Sequence, residues 1–157
     1  MQSEKAFQDL YPDEFSHCYG CGRLNPHGHR IKSHWDGDES VAFFTPEPHH
    51  MAVPGFVYGG LIASLIDCHC VGTAAAAVSR QNPQEAVEDL RFVTASLKVN
   101  YLAPTPLGPP LEIRGIIQEV GERRVTVEAK LLAEGKICAT GTVVAARIPA
   151  TMFQNQK

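Results

Sequence analysis

The most apolar segment of the chain, residues 59–80, reads GGLIASLIDCHCVGTAAAAVSR. It is rich in alanine and leucine and contains no proline, which predicts one long helix. Apolar residues occur nearly all round this helix, so most of its sides are expected to be buried. The residues Gln81-Asn82-Pro83 then end it. This helix is therefore predicted to lie at the centre of the fold.

Strand patterns flank the helix on both sides. Two short strands joined at Asp36-Gly37 are predicted before it, over residues 31–35 and 40–44. After it, alternating apolar and polar side chains predict four strands, over residues 96–101, 111–120, 123–131 and 137–148. One helix can cover only one face of such a sheet. The predicted class is α+β, with a curved antiparallel sheet of about five to six strands wrapped around the central helix.

The chain divides into three parts. Its 157 residues suit a single domain. Residues 1–30 are dense in glycine, proline and asparagine and are predicted to form a loop segment. Residues 31–148 form the predicted domain, and residues 149–157 are predicted to be a loose tail.

Composition excludes several classes of protein. With 44% hydrophobic and 20% charged residues, the chain is neither disordered nor an acidic tail. A net charge of -3 and a pI of about 6.1 give no sign of a nucleic-acid surface. No apolar run is read as reaching the roughly 18 residues of a membrane span, so no membrane contact is expected. Residues 1–10 lack a signal-peptide pattern, and five cysteines are then expected to be reduced thiols in the cytoplasm.

Asp67 is the outstanding candidate for chemistry. It lies in the middle of the apolar helix, where an ionised carboxylate is costly unless it is paired or used. At 3.6 residues per turn it shares a stripe of mostly small residues with Gly60, Ser64 and Val71. This stripe favours the close approach of a ligand or of another backbone. The alternative is a structural aspartate that bonds a buried backbone group or a neighbouring serine.

Gly59 and Gly60 open the same helix. The first backbone N–H groups of a helix have no partner within it and lie at the positive end of its dipole. They can therefore stabilise an oxyanion without any side chain. A plain glycine-rich helix start is the alternative.

A metal site is considered for Cys18-x-x-Cys21, with His17, His27 and His29 nearby. A closed structural zinc site needs four ligands, and no second pair here has the spacing of a zinc finger. A loop with ordinary thiols is favoured, and no metal is predicted.

The run Cys68-His69-Cys70 lies on the helix. Consecutive helical residues point about 100° apart, so these three cannot chelate one metal together. No cysteine has an evident histidine-and-acid relay, so none is predicted as a nucleophile.

Residues 54–67, PGFVYGGLIASLID, resemble the signature of hotdog-fold acyl-CoA thioesterases. That signature is His-Gly-Gly followed by a helix with an acid seven residues after the second glycine. Three further stretches are similar to the same family, most closely to its phenylacetyl-CoA thioesterase-like branch. They are CYGCG with NPHG at 18–28, LKVNYLAP at 97–104 ahead of Gly108, and GERRVTVEA at 121–129.

The resemblance implies an acyl-CoA thioesterase and gives roles to four residues. Asp67 matches the catalytic acid, which acts as general base on water or as nucleophile. Gly59 and Gly60 match the helix start that polarises the thioester carbonyl. Thr94 falls where relatives place a Ser or Thr that positions the acid or the water.

The resemblance also implies the partners. Arg123 and Arg124 fall where basic residues meet the phosphates of coenzyme A. The site of such enzymes lies between two protomers, so Asp67 works against the Gly59 of a second copy. A homodimer or homotetramer without cofactor is expected.

One departure from the signature is Tyr58, which stands where the family has histidine. The usual asparagine upstream is also missing, and His50 is the candidate to replace it in binding substrate, together with Ser64. Tyr58 keeps open an alternative function, a hotdog protein that binds acyl-CoA without turnover. A hydratase or dehydratase, which pairs an acid with a catalytic histidine, and a purely structural dimerisation domain fit less well.

Overall fold

A six-stranded antiparallel sheet curls around one long helix in the computed structural model, which describes residues 5–149. The helix α1 spans Gly59–Gln81. The strands are β1 Ser33–Asp36, β2 Glu39–Phe44, β3 Phe92–Tyr101, β4 Leu111–Val120, β5 Arg124–Ala133 and β6 Lys136–Arg147. They lie in the order β1-β2-β4-β5-β6-β3. The predicted class, strand number and central helix are confirmed.

Helix α1 fills the concave side of the sheet. Its alanine-rich second half is buried, and Leu65 and Ile66 are at most 1% exposed. Gly141 on β6 lets the sheet approach the helix closely, because a Cβ there would lie 2.6 Å from the Ile66 side chain. The half-buried residues of the first half form one stripe, which we call the open face of α1: Gly59, Gly60, Ala63, Ser64, Asp67, Cys68 and Val71. The sheet covers this face only in part, because β3 reaches it at Asp67 and Gly59.

The expectation that no segment is apolar enough to span a membrane was wrong for α1. By length and composition this helix qualifies, with a mean hydropathy of 1.7 over its most apolar window. Of that window, 67% is buried inside the fold, as in the core helix of a globular domain. The high hydropathy of α1 is therefore explained by apolar side chains that pack in the core.

Strand β3 lies at one edge of the sheet, bonded on one side only, to β6. It is longer than predicted and begins at Phe92, and its register with β6 shifts between Thr94 and Ser96. Such an irregularity re-aims a side chain and breaks the alternation that marks a strand in sequence. Most of β3 is exposed, including the apolar residues Val93 and Leu97.

The N-terminal segment packs against the domain through two short 3-10 turns, Phe7–Leu10 and Asp13–Phe15. Phe7 and Gln8 are buried there. The Gln8 side chain accepts a hydrogen bond from the backbone N–H of Ser33 at 2.8 Å, which ties the segment to β1. Of the predicted tail, residues 150–157 lie outside the described residues.

A buried network of polar side chains links α1 to strands β1 and β2. The two ring nitrogens of His69 are 2.8 and 2.9 Å from the hydroxyls of Ser33 and Ser40. Thr73 donates to the Ser40 hydroxyl at 2.7 Å. Gly115 on β4 leaves room for the network, because a Cβ there would lie 2.5 Å from the Ser40 oxygen. His69 is fully buried, and this burial lowers its pKa to about 4.

Candidate active site

Asp67 lies on the open face of α1 and is bonded to the edge strand. The Thr94 hydroxyl donates a hydrogen bond of 2.6 Å to its Oδ1. Thr94 lies at the register shift of β3, the irregularity that places its hydroxyl over the helix. The structure thus brings together the two side chains that the resemblance assigned to the acid and its positioning group.

The carboxyl group of Asp67 is only partly exposed, and burial raises its pKa. The hydrogen bond from Thr94 favours the ionised form and lowers the pKa, while the nearby Cys18 raises it. The group borders a cavity of about 350 Å³ whose other walls include Val71, Phe92 and Leu90. A carboxylate held beside apolar walls is suited to accept a proton.

The start of α1 provides two unpaired backbone donors. Within residues 5–149, the N–H groups of Gly59 and Gly60 have no acceptor, because the first bonded amides of the helix are those of Leu61 and Ile62. Tyr58 precedes the helix and makes no capping bond with its side chain. The pair therefore has the geometry of an oxyanion site.

Two tyrosines frame this helix start. Tyr101 on β3 donates from its hydroxyl to the Gly59 carbonyl oxygen at 2.7 Å, a contact that sequence reasoning missed. The ring of Tyr58 lies against Gly60, where an added Cβ would be 2.4 Å from a ring carbon. The tyrosine that replaces the family's histidine thus packs directly on Gly60. Tyr58 is 59% exposed.

A larger cavity, of about 950 Å³, opens beside the helix start. Its walls include Tyr58, Gly60, Ser64 and His50, so the predicted substrate-binding residues His50 and Ser64 share one space. Ser64 donates to the Gly60 carbonyl at 2.9 Å. The His50 ring accepts from the Glu47 N–H at 2.9 Å, which fixes the ring orientation.

The structure separates the two arginines predicted to bind phosphate. Arg123 borders a cavity of about 540 Å³ together with Arg91 and Arg147, which we call the arginine cavity. The Arg123 guanidinium has no hydrogen-bond or ion-pair partner in the described part of the chain. Arg91 also borders the Asp67 cavity, so the two cavities adjoin. Arg124 begins β5, is exposed and does not border the arginine cavity.

The acid and the helix start lie on one face of α1 but far apart. Eight residues at a rise of about 1.5 Å each put Gly59 roughly 12 Å from Asp67 along the axis. One thioester group is too small to contact both within a single chain.

Three cysteines meet beside Asp67. The sulfur atoms of Cys18, Cys21 and Cys68 all lie within 4.8 Å of one another, and those of Cys18 and Cys68 are 3.8 Å apart. Sequence reasoning treated the first two as loop thiols and missed the third, which lies 50 positions from Cys18. The available signal was a cysteine next to Asp67 on the open face.

Comparison with known proteins places this geometry in a family. The sequence profile of the Thioesterase superfamily matches residues 54–140, which include Asp67, Thr94 and the helix start. A mouse protein, acyl-coenzyme A thioesterase THEM4, is 33% identical over 92 residues. That match covers 59% of this chain and 35% of the mouse protein, so the chain spans about a third of that relative.

Two solved structures are also similar. A thioesterase superfamily protein from Shewanella loihica has 49% identity and a TM-score of 0.68, with 87% of this chain and 98% of that chain covered. The E. coli PaaI protein from the phenylacetic acid degradation operon has 16% identity and a TM-score of 0.63. That match covers 77% of this chain and 81% of PaaI, and it shows a shared fold. The resemblance noted in the sequence is thereby confirmed: this chain belongs to the thioesterase superfamily and has its hotdog fold.

Proposed function

We propose that this protein hydrolyses the thioester bond of an acyl-coenzyme A, with Asp67 as the catalytic acid. The observation that carries the proposal is the hydrogen bond between Thr94 and Asp67 on the open face of α1. A purely structural aspartate would satisfy its carboxylate within the core. This one instead borders an apolar cavity next to solvent.

The proposed hydrolysis uses two groups on the open face of α1, the Asp67 carboxylate and the amides of the helix start. Water attacks the thioester carbonyl carbon while Asp67 accepts its proton, and the carbonyl oxygen becomes an oxyanion. The N–H groups of Gly59 and Gly60 stabilise that oxyanion. The C–S bond then breaks, and the proton on Asp67 goes to the leaving sulfur, giving the free acid and coenzyme A. In the nucleophilic variant, the Asp67 carboxylate attacks the carbonyl carbon and the C–S bond breaks, which releases the coenzyme A thiolate. Water then cleaves the resulting anhydride into the free acid and Asp67, whose proton goes to the thiolate.

This reaction needs two copies of the chain. The roughly 12 Å between Asp67 and Gly59 excludes a site built from one helix. Two antiparallel helices would bring the acid of each close to the amides of the other. The long, apolar and unpaired edge of β3 supports such a homodimer, because an exposed edge of this kind otherwise promotes aggregation.

The substrate proposal has two parts. The partnerless Arg123, next to Arg91 and Arg147, supports contact with the phosphates of coenzyme A. The apolar walls of the Asp67 cavity support an aryl or alkyl acyl group, with Val71 and Phe92 lining it. The five free thiols support the cytoplasm as the location.

A second candidate function has one observation in its favour. The Tyr58 ring lies against Gly60 at the helix start, where its bulk would hinder a thioester carbonyl from reaching the amides. A carbonyl that reaches the amides poorly would be bound without being hydrolysed. The alternative is therefore a hotdog protein that binds acyl-CoA without turnover.

The test is thiol release from short-chain, long-chain and aromatic acyl-CoA thioesters by wild type and Asp67→Asn. Loss of release in a variant with unchanged circular dichroism supports the hydrolase, and the panel gives the acyl class. Release at the full rate by Asp67→Asn excludes the proposed role. If wild type binds these thioesters without releasing thiol, the binding function is favoured. Tyr58→His then tests whether the tyrosine is the cause, because it should restore release.

A further inference from the structure

We propose that Cys18, Cys21 and Cys68 bind one zinc ion that fastens the N-terminal segment to helix α1. The three thiols come from two distant parts of the chain, the loop before β1 and the open face of the helix. The inference concerns metal binding and does not depend on the proposed thioesterase activity.

The sulfur positions fit a thiolate metal site. Zinc–sulfur bonds of about 2.3 Å at tetrahedral angles put two sulfur atoms about 3.8 Å apart. Cys18 and Cys68 have this separation, 3.8 Å, without being joined. The third sulfur, of Cys21, completes a set in which all pairs lie within 4.8 Å. One ion between them needs only small side-chain movements.

The backbone around Cys18 is built to leave space for this cluster. A Cβ at Gly20 would lie 2.2 Å from the Cys68 sulfur and 3.9 Å from that of Cys18. Gly20 has an ordinary backbone conformation, so glycine serves here for space rather than for its freedom. The turn is closed by the Gly22 N–H, which donates to the Cys18 carbonyl at 2.8 Å.

The ligand chemistry selects the ion. Three thiolates are soft ligands that favour zinc over magnesium or calcium. All three cysteines border the cavity of about 350 Å³ that Asp67 and Thr94 also border. A water molecule or another group from that cavity would supply the fourth ligand of the tetrahedron.

The first experiment measures zinc content. The full chain, without a polyhistidine tag, is purified under reducing conditions, loaded with Zn²⁺, dialysed and analysed by mass spectrometry for metal. Wild type should keep one zinc ion per chain. Cys18→Ser and Cys68→Ser should each lower the affinity for zinc by at least about tenfold, because even the loss of a group that only orients a metal ligand has an effect of that size. Cys138→Ala, which removes a buried thiol from β6, is the matched control and should keep the ion.

Two results would overturn the proposal. One is a reduced wild-type protein that retains no zinc. The other is a folded Cys18→Ser variant that binds zinc as tightly as wild type. Cys18 is exposed in a loop, so its substitution leaves the core intact even where Cys68→Ser destabilises the helix.

A second readout tests the fastening role. A chelator should lower the Tm of zinc-loaded wild type and leave that of Cys18→Ser unchanged, because only the native site gains stability from the ion. The same Tm for wild type with and without chelator would contradict it. A Cys18–Cys68 disulfide that persists in the presence of reductant would also contradict it.

Discussion

The Thr94 hydroxyl lies 2.6 Å from Oδ1 of Asp67 and links the edge strand β3 to the central helix. A hydrogen bond to an ionised group contributes about 1.5–3 kcal/mol. This bond both orients the carboxylate and favours its ionised form. A substitution on β3 that removes this bond would therefore alter the orientation and the charge of the proposed catalytic acid.

Thr94→Val should lower kcat by about 10- to 100-fold, the equivalent of losing that hydrogen bond. Valine keeps the shape of threonine and removes only the donor. Thiol release from the preferred acyl-CoA, measured at saturating substrate, gives the comparison. Ser96→Ala, two residues further along the same strand, should keep the wild-type rate. Equal rates for Thr94→Val and wild type would deny Thr94 any positioning role.

Arg123→Ala should raise KM for acyl-CoA thioesters by about tenfold and leave kcat within a factor of about two. The reason is that a charged hydrogen bond to phosphate holds the substrate equally well before and during the reaction. Arg124→Ala is the matched control, because Arg124 is also exposed but does not border the cavity lined by Arg123, Arg91 and Arg147. We expect it to leave KM unchanged. A truncated thioester without the nucleotide should show no difference between Arg123→Ala and wild type. The same rise in KM for both arginine variants would place the phosphates elsewhere.

Stability should fall as the pH is lowered from about 6.5 to about 4, because His69 is buried with a pKa near 4. In this range the unfolded chain binds a proton at His69 and the folded chain does not, so acid favours unfolding. The full effect is about 3 kcal/mol and is complete below pH 4. Urea unfolding at a series of pH values measures it. His69→Gln should lower this slope, whereas His34→Gln on β1 should keep it; an unchanged slope in His69→Gln would contradict the assignment.

The sequence was sufficient for the helix and the strands because both are encoded by local periodicity. Residues 124–131 alternate apolar and polar, and the structure forms β5 there with Val125 and Val127 buried. A turn at Glu134-Gly135 joins β5 to β6. The start of β3 was missed, because its irregularity at Thr94 interrupts the alternation that defines a strand.

The site was only partly accessible from the sequence. Asp67 could be singled out because a carboxylate in an apolar helix is costly. Its partner Thr94 is 27 positions away and followed only from the family resemblance. The meeting of Cys68 with Cys18 depends on how the N-terminal segment folds over the helix, which no local pattern encodes. The same holds for Tyr101 on the Gly59 carbonyl.

Leu97→Glu should convert the protein to monomers. Leu97 is 40% exposed on β3, and a charge there would be buried against a second copy paired along that edge. Light scattering after gel filtration gives the mass. Phe43→Glu places the same charge on β2, an inner strand, and should keep the oligomer. Thiol release should disappear with the oligomer, because Asp67 and Gly59 of one chain lie too far apart. A fully active monomer would contradict the shared site.

Mixing two inactive variants should restore activity if each site uses Asp67 of one chain and the helix start of the other. Gly59→Pro removes one amide donor at a position where helices tolerate proline, and Tyr58 has the extended conformation that a following proline requires. Asp67→Asn removes the acid. Neither variant alone should release thiol at more than about 1% of the wild-type rate.

After unfolding and refolding together in equal amounts, half of the dimers contain one chain of each kind. Each such dimer has one intact site, so the mixture should regain about a quarter of the wild-type rate per chain. Co-refolding Asp67→Asn with Thr94→Val is the control. Because Thr94 and Asp67 act within one chain, that mixture should give no more than the average of its two components. If the first mixture stays inactive while its chains form mixed dimers, Asp67 and Gly59 do not act on the same substrate. They cannot do so within one chain either, because the intact helix keeps them roughly 12 Å apart along its axis.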